Sequence, residues 1–391
     1  MKVAIFTDTY PPFINGVSTS CFNLAKVLKE HGHDVIVVTP RSSAGKLEYK
    51  DGVIYVPGIR LKNMYDYRLT RFYSSRVIKM LKKFGVELIH NQTDLGIGQF
   101  AKRAYRVLNV PLVYTYHTAY EDYTHYVVHG IMDRIGKRFL KGYTKSVSKN
   151  ATELITPSLK TKEYMRGIAS DAYVNVVPTG IDFSLFSSDN IDMKKMAEFK
   201  KEHGIGPNTK VFLLLGRIAS EKSMDFSIKG FAEYLKKHPE ADLKMIVVGD
   251  GPQRTEYELL THELHISDKV DFIGKVPASE VPFYYHAADI YTSASLTETQ
   301  GLTFMESMAA GTIVLARFDS QLADTIIDGQ TGFFFTDENS FLEKIDRILS
   351  LSEENKKKII EQAYKTVDTY SFDHFYENIM EVYNRALKKY W

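Results

Sequence analysis

The chain has 391 residues, 44% of them apolar and 25% charged, enough for the cores of roughly two or three domains and too apolar for a disordered chain. No apolar run reaches the roughly 18–20 residues of a membrane span, MKVAIFTDTY leads straight into a strand without a leader-like stretch, and the single Cys21 excludes an internal disulfide and fits a reducing cytosol. The net charge of +2 hides a division, because residues 1–180 hold 26 basic and 14 acidic side chains (+12) and the remainder 24 and 34 (−10), which hints at an anionic partner for the first half.

Short β-branched runs at 2–7, 34–39, 53–56, 87–91, 112–116, 153–156 and 174–177 read as strands, with helical patterns such as 17–30 and 69–84 between them. Their hydrophobicity is continuous rather than alternating, the mark of parallel strands covered on both faces. The pattern breaks at Pro178-Thr179-Gly180 and resumes with strands at 210–215, 243–248, 270–273, 290–292, 312–315 and 332–335. Helical periodicity over 340–389 follows. Two consecutive doubly wound α/β domains is the economical reading, and ligand motifs should then follow strands.

Four motifs do. Between the first strand and helix lies Thr7-Asp8-Thr9-Tyr10-Pro11-Pro12-Phe13-Ile14-Asn15-Gly16-Val17, where Gly16 opens a helix N-terminus to an anion or serves as a plain turn. After strand 210–215, Gly216-Arg217-Ile218-Ala219-Ser220-Glu221-Lys222 offers a guanidinium fork and a point charge, a clamp for a diphosphate, unless Glu221 simply pairs with either base. Gly249-Asp250-Gly251-Pro252 reads as a tight turn with a helix-starting proline. The sharpest is Glu298-Thr299-Gln300-Gly301-Leu302-Thr303-Phe304-Met305-Glu306 with Gly311 beyond. Residues 301–310 form a short helix whose first N–H groups, at Gly301, Leu302 and Thr303, can hold an oxyanion, and Glu298 and Glu306 can each accept vicinal hydroxyls.

In this order the motifs resemble the retaining glycosyltransferases of family 4 over essentially the full length. The resemblance implies the GT-B architecture: two facing Rossmann-like domains, 1–180 for acceptor and membrane and 181–370 for the nucleotide sugar, with a C-terminal helix (371–391) crossing back to the first. It implies that Arg217 and Lys222 neutralise the diphosphate, Glu306 takes the ribose hydroxyls and Glu298 the sugar near its 3-hydroxyl. The backbone around Gly274-Lys275-Val276 would meet the base, Gly249 would border the donor, and His117 would bond the 6-hydroxyl. By the same resemblance catalysis needs no metal, the leaving phosphate receiving the acceptor proton. The chain agrees in having no Asp-x-Asp triplet, and His125 and His129, though four apart, lack a carboxylate set around them.

Within the family, His117-Thr118-Ala119-Tyr120-Glu121-Asp122-Tyr123-Thr124-His125-Tyr126 looks like the bacterial diacylglycerol glucosyltransferases, with Tyr120 and Tyr123 toward the acceptor or, as for Tyr114, Tyr116 and Tyr126, the core. On a helical wheel of 131–149, Arg134, Lys137, Arg138, Lys141, Lys145 and Lys149 share an arc of roughly 120°. Segment 60–83 has eight bases and one acid beside an apolar stripe of Leu69, Phe72, Tyr73, Val77, Met80, Leu81 and Phe84. An anionic bilayer attracts such bases at about 1 kcal/mol each, whereas ordinary crossover helices would merely be solvated there.

The expectation is a cytoplasmic enzyme docked on the inner face of the cell membrane, moving glucose from UDP-glucose to the 3-hydroxyl of 1,2-diacylglycerol. GDP-mannose as donor, or a soluble or other lipid acceptor, is the alternative within the class. A catalytically silent sugar-nucleotide binder conflicts with the intact Arg217, Lys222, Glu298 and Glu306. A nucleic-acid module conflicts with the acidic second half and lacks any signature of such modules.

Overall fold

Parallel strands apolar on both faces need a helical layer on each side. The computed structural model describes the chain apart from Ile14, 42–44, 61–67, Leu95, 118–141, Tyr143, Val147, 169–172, 296–297 and Thr299. It divides into two units, Met1–Gly180 with Phe372–Trp391, and Ile181–Ser371.

In the first unit the strands are β1 (Lys2–Phe6), β2 (Asp34–Pro40), β3 (Glu48–Lys50), β4 (Val53–Val56), β5 (Gly58–Arg60), β6 (Arg68–Thr70), β7 (Leu88–Asn91), β8 (Leu112–Thr115), β9 (Glu153–Thr156) and β10 (Val174–Val176). Eight of them form one sheet, ordered β10-β9-β8-β7-β1-β2-β4-β3, parallel except where β3 meets β4. Alternate residues of β1 enter opposite cores. Val3 and Ile5 pack with Leu24, Leu28, Ile379 and Tyr383, and Ala4 and Phe6 with Ile78, Ile97 and Phe100. Asn15 caps the helix Gly16–Glu30 by accepting from the Ser18 N–H at 2.8 Å.

The helix Phe372–Tyr390 belongs to this unit's core, burying Phe375, Ile379, Val382, Tyr383 and Ala386. Arg385 and Lys389 reach the buried carboxylate of Glu153 at 3.1 and 2.8 Å. Gly180 marks the close approach of the chain to this helix, since a Cβ there would stand 2.6 Å from Phe375.

One expected helix is shorter than its pattern. The stretch 69–84 becomes helical only over Ser75–Phe84, because Arg68–Thr70 pairs with Gly58–Arg60 in an antiparallel hairpin and Ser74 caps the helix that follows. Val77 and Leu81 are buried as the stripe requires, but Leu69, Phe72 and Tyr73 are exposed. Tyr114 and Tyr116 are core residues.

The second unit carries β11 (Lys210–Leu215), β12 (Leu243–Val248), β13 (Val270–Gly274), β14 (Ile290–Ser293), β15 (Ile313–Arg317) and β16 (Phe333–Phe335). They make an all-parallel sheet in the order β13-β12-β11-β14-β15-β16. Phe212 and Leu214 face a cluster with Ile228, Phe231 and Phe341, while Val211 and Leu213 face another with Tyr285, Tyr291 and Phe304. The strand order reverses between β11 and β14, so loops leaving their carboxyl ends flank a natural crevice. The corresponding reversal in the first unit lies between β1 and β7.

Candidate active site

The glycines at the carboxyl ends of β11, β12 and β13 let three chain segments lie against one another. Gly216 and Gly249 have φ of 141° and 139°, and a Cβ on Gly249 would stand 1.8 Å from the Gly216 carbonyl oxygen. A Cβ on Gly251 would be 2.1 Å from the Ile218 oxygen. The Gly216 N–H donates to Val248 at 3.0 Å and the Gly249 N–H to Gly274 at 2.9 Å, binding the loops through their backbones. Gly249-Asp250-Gly251-Pro252 is thus a site of loop contact, and the helix expected to start at Pro252 runs from Arg254 to Glu263. Val276, just past β13, is partly buried against the second core cluster.

Both bases of the β11 loop are paired. Arg217 is bonded to Glu221, the alternative pairing that the sequence of this loop offers, and Lys222 donates to Glu298 at 2.6 Å. The second pair joins the loop after β11 to the loop after β14, across the reversal in strand order.

Gly301, at φ 76°, caps the helix Leu302–Ala309, which starts one residue later than its sequence pattern. Replacing it would drive a Cβ to 2.6 Å from Leu322. The first turn presents the N–H groups of Leu302 and Thr303, which have no intrahelical acceptor, beside the favourable end of the helix dipole. Thr303 is fixed twice: its carbonyl accepts from the Tyr285 phenol at 3.0 Å and its hydroxyl from Tyr291 at 2.8 Å. The Tyr285 phenol also donates to Glu306 at 3.0 Å. Burial pushes the Glu306 carboxyl up to about 7, against the opposing hydrogen bond from Tyr285. Burial raises both phenols, and the charges of Glu306 and Glu298 raise them further.

Tyr285, on the helix Val281–Ala287, and Tyr291, on β14, were missed by sequence reasoning. The arrangement offers two cations for an anionic group, backbone donors at a helix start, and two carboxylates for hydroxyl pairs.

In the first unit Gly16 is exposed at its helix start, with open space where a side chain would be. Asn15 works as the helix cap. The preceding loop is anchored by Asp8, which accepts from the Thr93 hydroxyl and, at 3.2 Å, from the Ile97 N–H. His117 lies beyond β8 with its Nε2 bonded to the side chain of Gln92, a buried residue that sequence reasoning missed. Burial lowers the His117 imidazole to about 4, so the ring is neutral at pH 7. Beneath it His90 is fully buried, 2.7 Å from both the Tyr383 phenol and the Thr115 hydroxyl. Lys145 is exposed. Tyr120, Tyr123, Arg134, Lys137, Arg138 and Lys141 lie outside the described residues.

The chain is similar to known proteins along its length. Residues 14–185 match the family model "Glycosyltransferase Family 4", and 195–366 match "Glycosyl transferases group 1". The alpha-monoglucosyldiacylglycerol synthase of Acholeplasma laidlawii is 30% identical over the whole of both chains. The Streptococcus pneumoniae protein of the same name is 32% identical over 99% of this chain and 86% of its own. A solved sucrose-phosphate synthase from Thermosynechococcus elongatus shares the fold, with a TM-score of 0.77 and 20% identity over 98% of each chain. The chain therefore belongs to glycosyltransferase family 4 and has the GT-B fold.

Proposed function

We propose that this glycosyltransferase moves glucose from UDP-glucose to the 3-hydroxyl of 1,2-diacylglycerol, with retention, while docked on the inner face of the cell membrane. The observation that carries the reading is the full-length likeness to two synthases whose names specify that glycolipid. The site supports it residue by residue. Arg217 and Lys222 take the diphosphate, the N–H groups of Leu302 and Thr303 a phosphate oxygen, Glu306 the ribose hydroxyls and Glu298 the hexose near its 3-hydroxyl. Gly249 and the backbone at Val276 border the nucleotide. In the first unit, Gly16 leaves a helix start open, and His117, neutral at pH 7, is by the family resemblance the partner of the 6-hydroxyl.

Departure of UDP develops charge on the β-phosphate, and two fixed cations are the electrostatic answer to it. On this reading no metal is required. The acceptor hydroxyl then gives its proton to the leaving phosphate on the face from which the sugar departs.

Access to a lipid fits the surface of the first unit. No helix among the described residues is long and apolar enough to cross a membrane. The cross-strand neighbours Ile59 and Leu69 are exposed, Ile59 to 77%, as are Phe72 and Tyr73. Arg71, Arg76, Lys79, Lys82 and Lys83 are exposed nearby in the chain. Apolar side chains followed by bases suit an anionic interface. The test is purified protein with a panel of sugar nucleotides, with and without diacylglycerol in anionic vesicles. The expected product is α-glucosyl diacylglycerol from UDP-glucose. Preferential transfer from GDP-mannose, a soluble acceptor in place of the lipid, or a β product would overturn the reading.

A further inference from the structure

The ammonium of Lys222 and the carboxylate of Glu298 are bonded at 2.6 Å although they come from loops on opposite sides of the strand-order reversal. The Glu298 side chain is only 11% exposed, so its charge is poorly screened by water. A diphosphate oxygen arriving at the Lys222 Nζ meets that carboxylate first, and two anions sharing one cation repel each other. The Arg217–Glu221 pair is different in kind, being an i, i+4 pair within one loop.

We infer that the Lys222–Glu298 ion pair is an exchangeable latch that couples the two halves of the donor: diphosphate takes the lysine, the freed carboxylate takes the hexose, and each exchange favours the other. The inference rests on the donor-site roles given above. A complete sugar nucleotide satisfies both groups once the pair opens. UDP alone takes the lysine and leaves a largely buried carboxylate without the compensating Lys222 charge, which is costly. After transfer removes the hexose, Glu298 competes again for Lys222 and drives UDP off. The same bond thus selects intact donor over spent nucleotide and assists product release.

Calorimetric titration of UDP and UDP-glucose into the full chain and its variants tests this. Glu298→Gln is nearly isosteric and removes the competing charge. It should bind UDP about tenfold more tightly than the parent, equivalent to about 1.4 kcal/mol, with no such gain for UDP-glucose. Product inhibition by UDP should strengthen in step. In a Lys222→Ala background the Glu298→Gln change should leave UDP affinity within about twofold, because the latch is already gone. Glu298→Ala, checked for folding by circular dichroism, should tighten UDP in the same direction. Unchanged or weaker UDP binding in both Glu298 variants overturns the latch, as does equal tightening with and without Lys222, which would make Glu298 a general repulsive charge. If Lys222→Ala alone leaves UDP affinity unchanged, the diphosphate assignment itself fails and the latch falls with it.

Discussion

If Glu306 takes the ribose hydroxyls as proposed, donor binding is a pH-dependent event whose size can be worked out. Its carboxyl sits at about 7 because burial disfavours the charge more than the Tyr285 hydrogen bond restores it. About one carboxyl in eleven is therefore ionised at pH 6 and about ten in eleven at pH 8. Vicinal ribose hydroxyls donate best to a carboxylate, so affinity for UDP-glucose should rise about tenfold across that interval. UDP-glucose is the right probe because its diphosphate is a diester with no proton to lose there, whereas a terminal phosphate titrates near 6. Glu306→Gln should bind more weakly and with no slope. Stability moves the opposite way. A carboxyl whose folded pKa is raised contributes most below its unfolded value of about 4.5, and that contribution disappears as pH rises through 7, by at most about 3 kcal/mol. Glu306→Gln should therefore melt higher than the parent at pH 8 and gain nothing at pH 4. Titration calorimetry from pH 6 to 8 decides: a flat profile for the parent, or the same slope in Glu306→Gln, refutes the reasoning.

Activity should persist in excess EDTA, with any Mg²⁺ stimulation matched by equal ionic strength of another salt; complete loss restored only by a divalent ion would refute the two-cation account. Reversing Arg76, Lys79 and Lys83 to Glu should sharply reduce co-sedimentation with anionic vesicles while leaving UDP-glucose affinity in solution intact, and wild-type binding should fade between 0.1 and 1 M salt as the Debye length falls from about 10 to about 3 Å. Burial pushes the Glu153 carboxyl up, but bonds from Lys389, Asn175 and Arg385 outweigh it and hold the group below the usual carboxylate range. Arg385→Met should therefore cost about 1–3 kcal/mol at pH 7 in chemical denaturation, and the difference should shrink as the pH falls below the usual carboxylate range and Glu153 is protonated.

Legibility followed the length scale of each interaction. Strands such as β11 and β12 announce themselves because a fully buried parallel strand needs an unbroken apolar run, and the turn from strand to ligand loop is local. The hairpin β5–β6 does not, because three-residue strands are too short to show a period and Leu69, Phe72 and Tyr73 happen to fit a helical spacing. Glu298 and Glu306 stand out as a pattern within one segment. Their surroundings do not: Lys222 reaches Glu298 from 76 residues away, and Tyr285 reaches Glu306 from a separate helix. Gln92 is equally silent, since its bond to His117 exists only because β7 and β8 are neighbours.

The helix Phe372–Tyr390 has a consequence for how the protein is made. Its apolar face closes the core around Val3, Ile5, Leu24 and Leu28, yet it is translated only after the whole of Ile181–Ser371. The second unit is contiguous in sequence and can fold as soon as it clears the ribosome, whereas the first must hold an apolar surface open while its partner is synthesised. The half of the enzyme that is made first is therefore the half whose core is completed last.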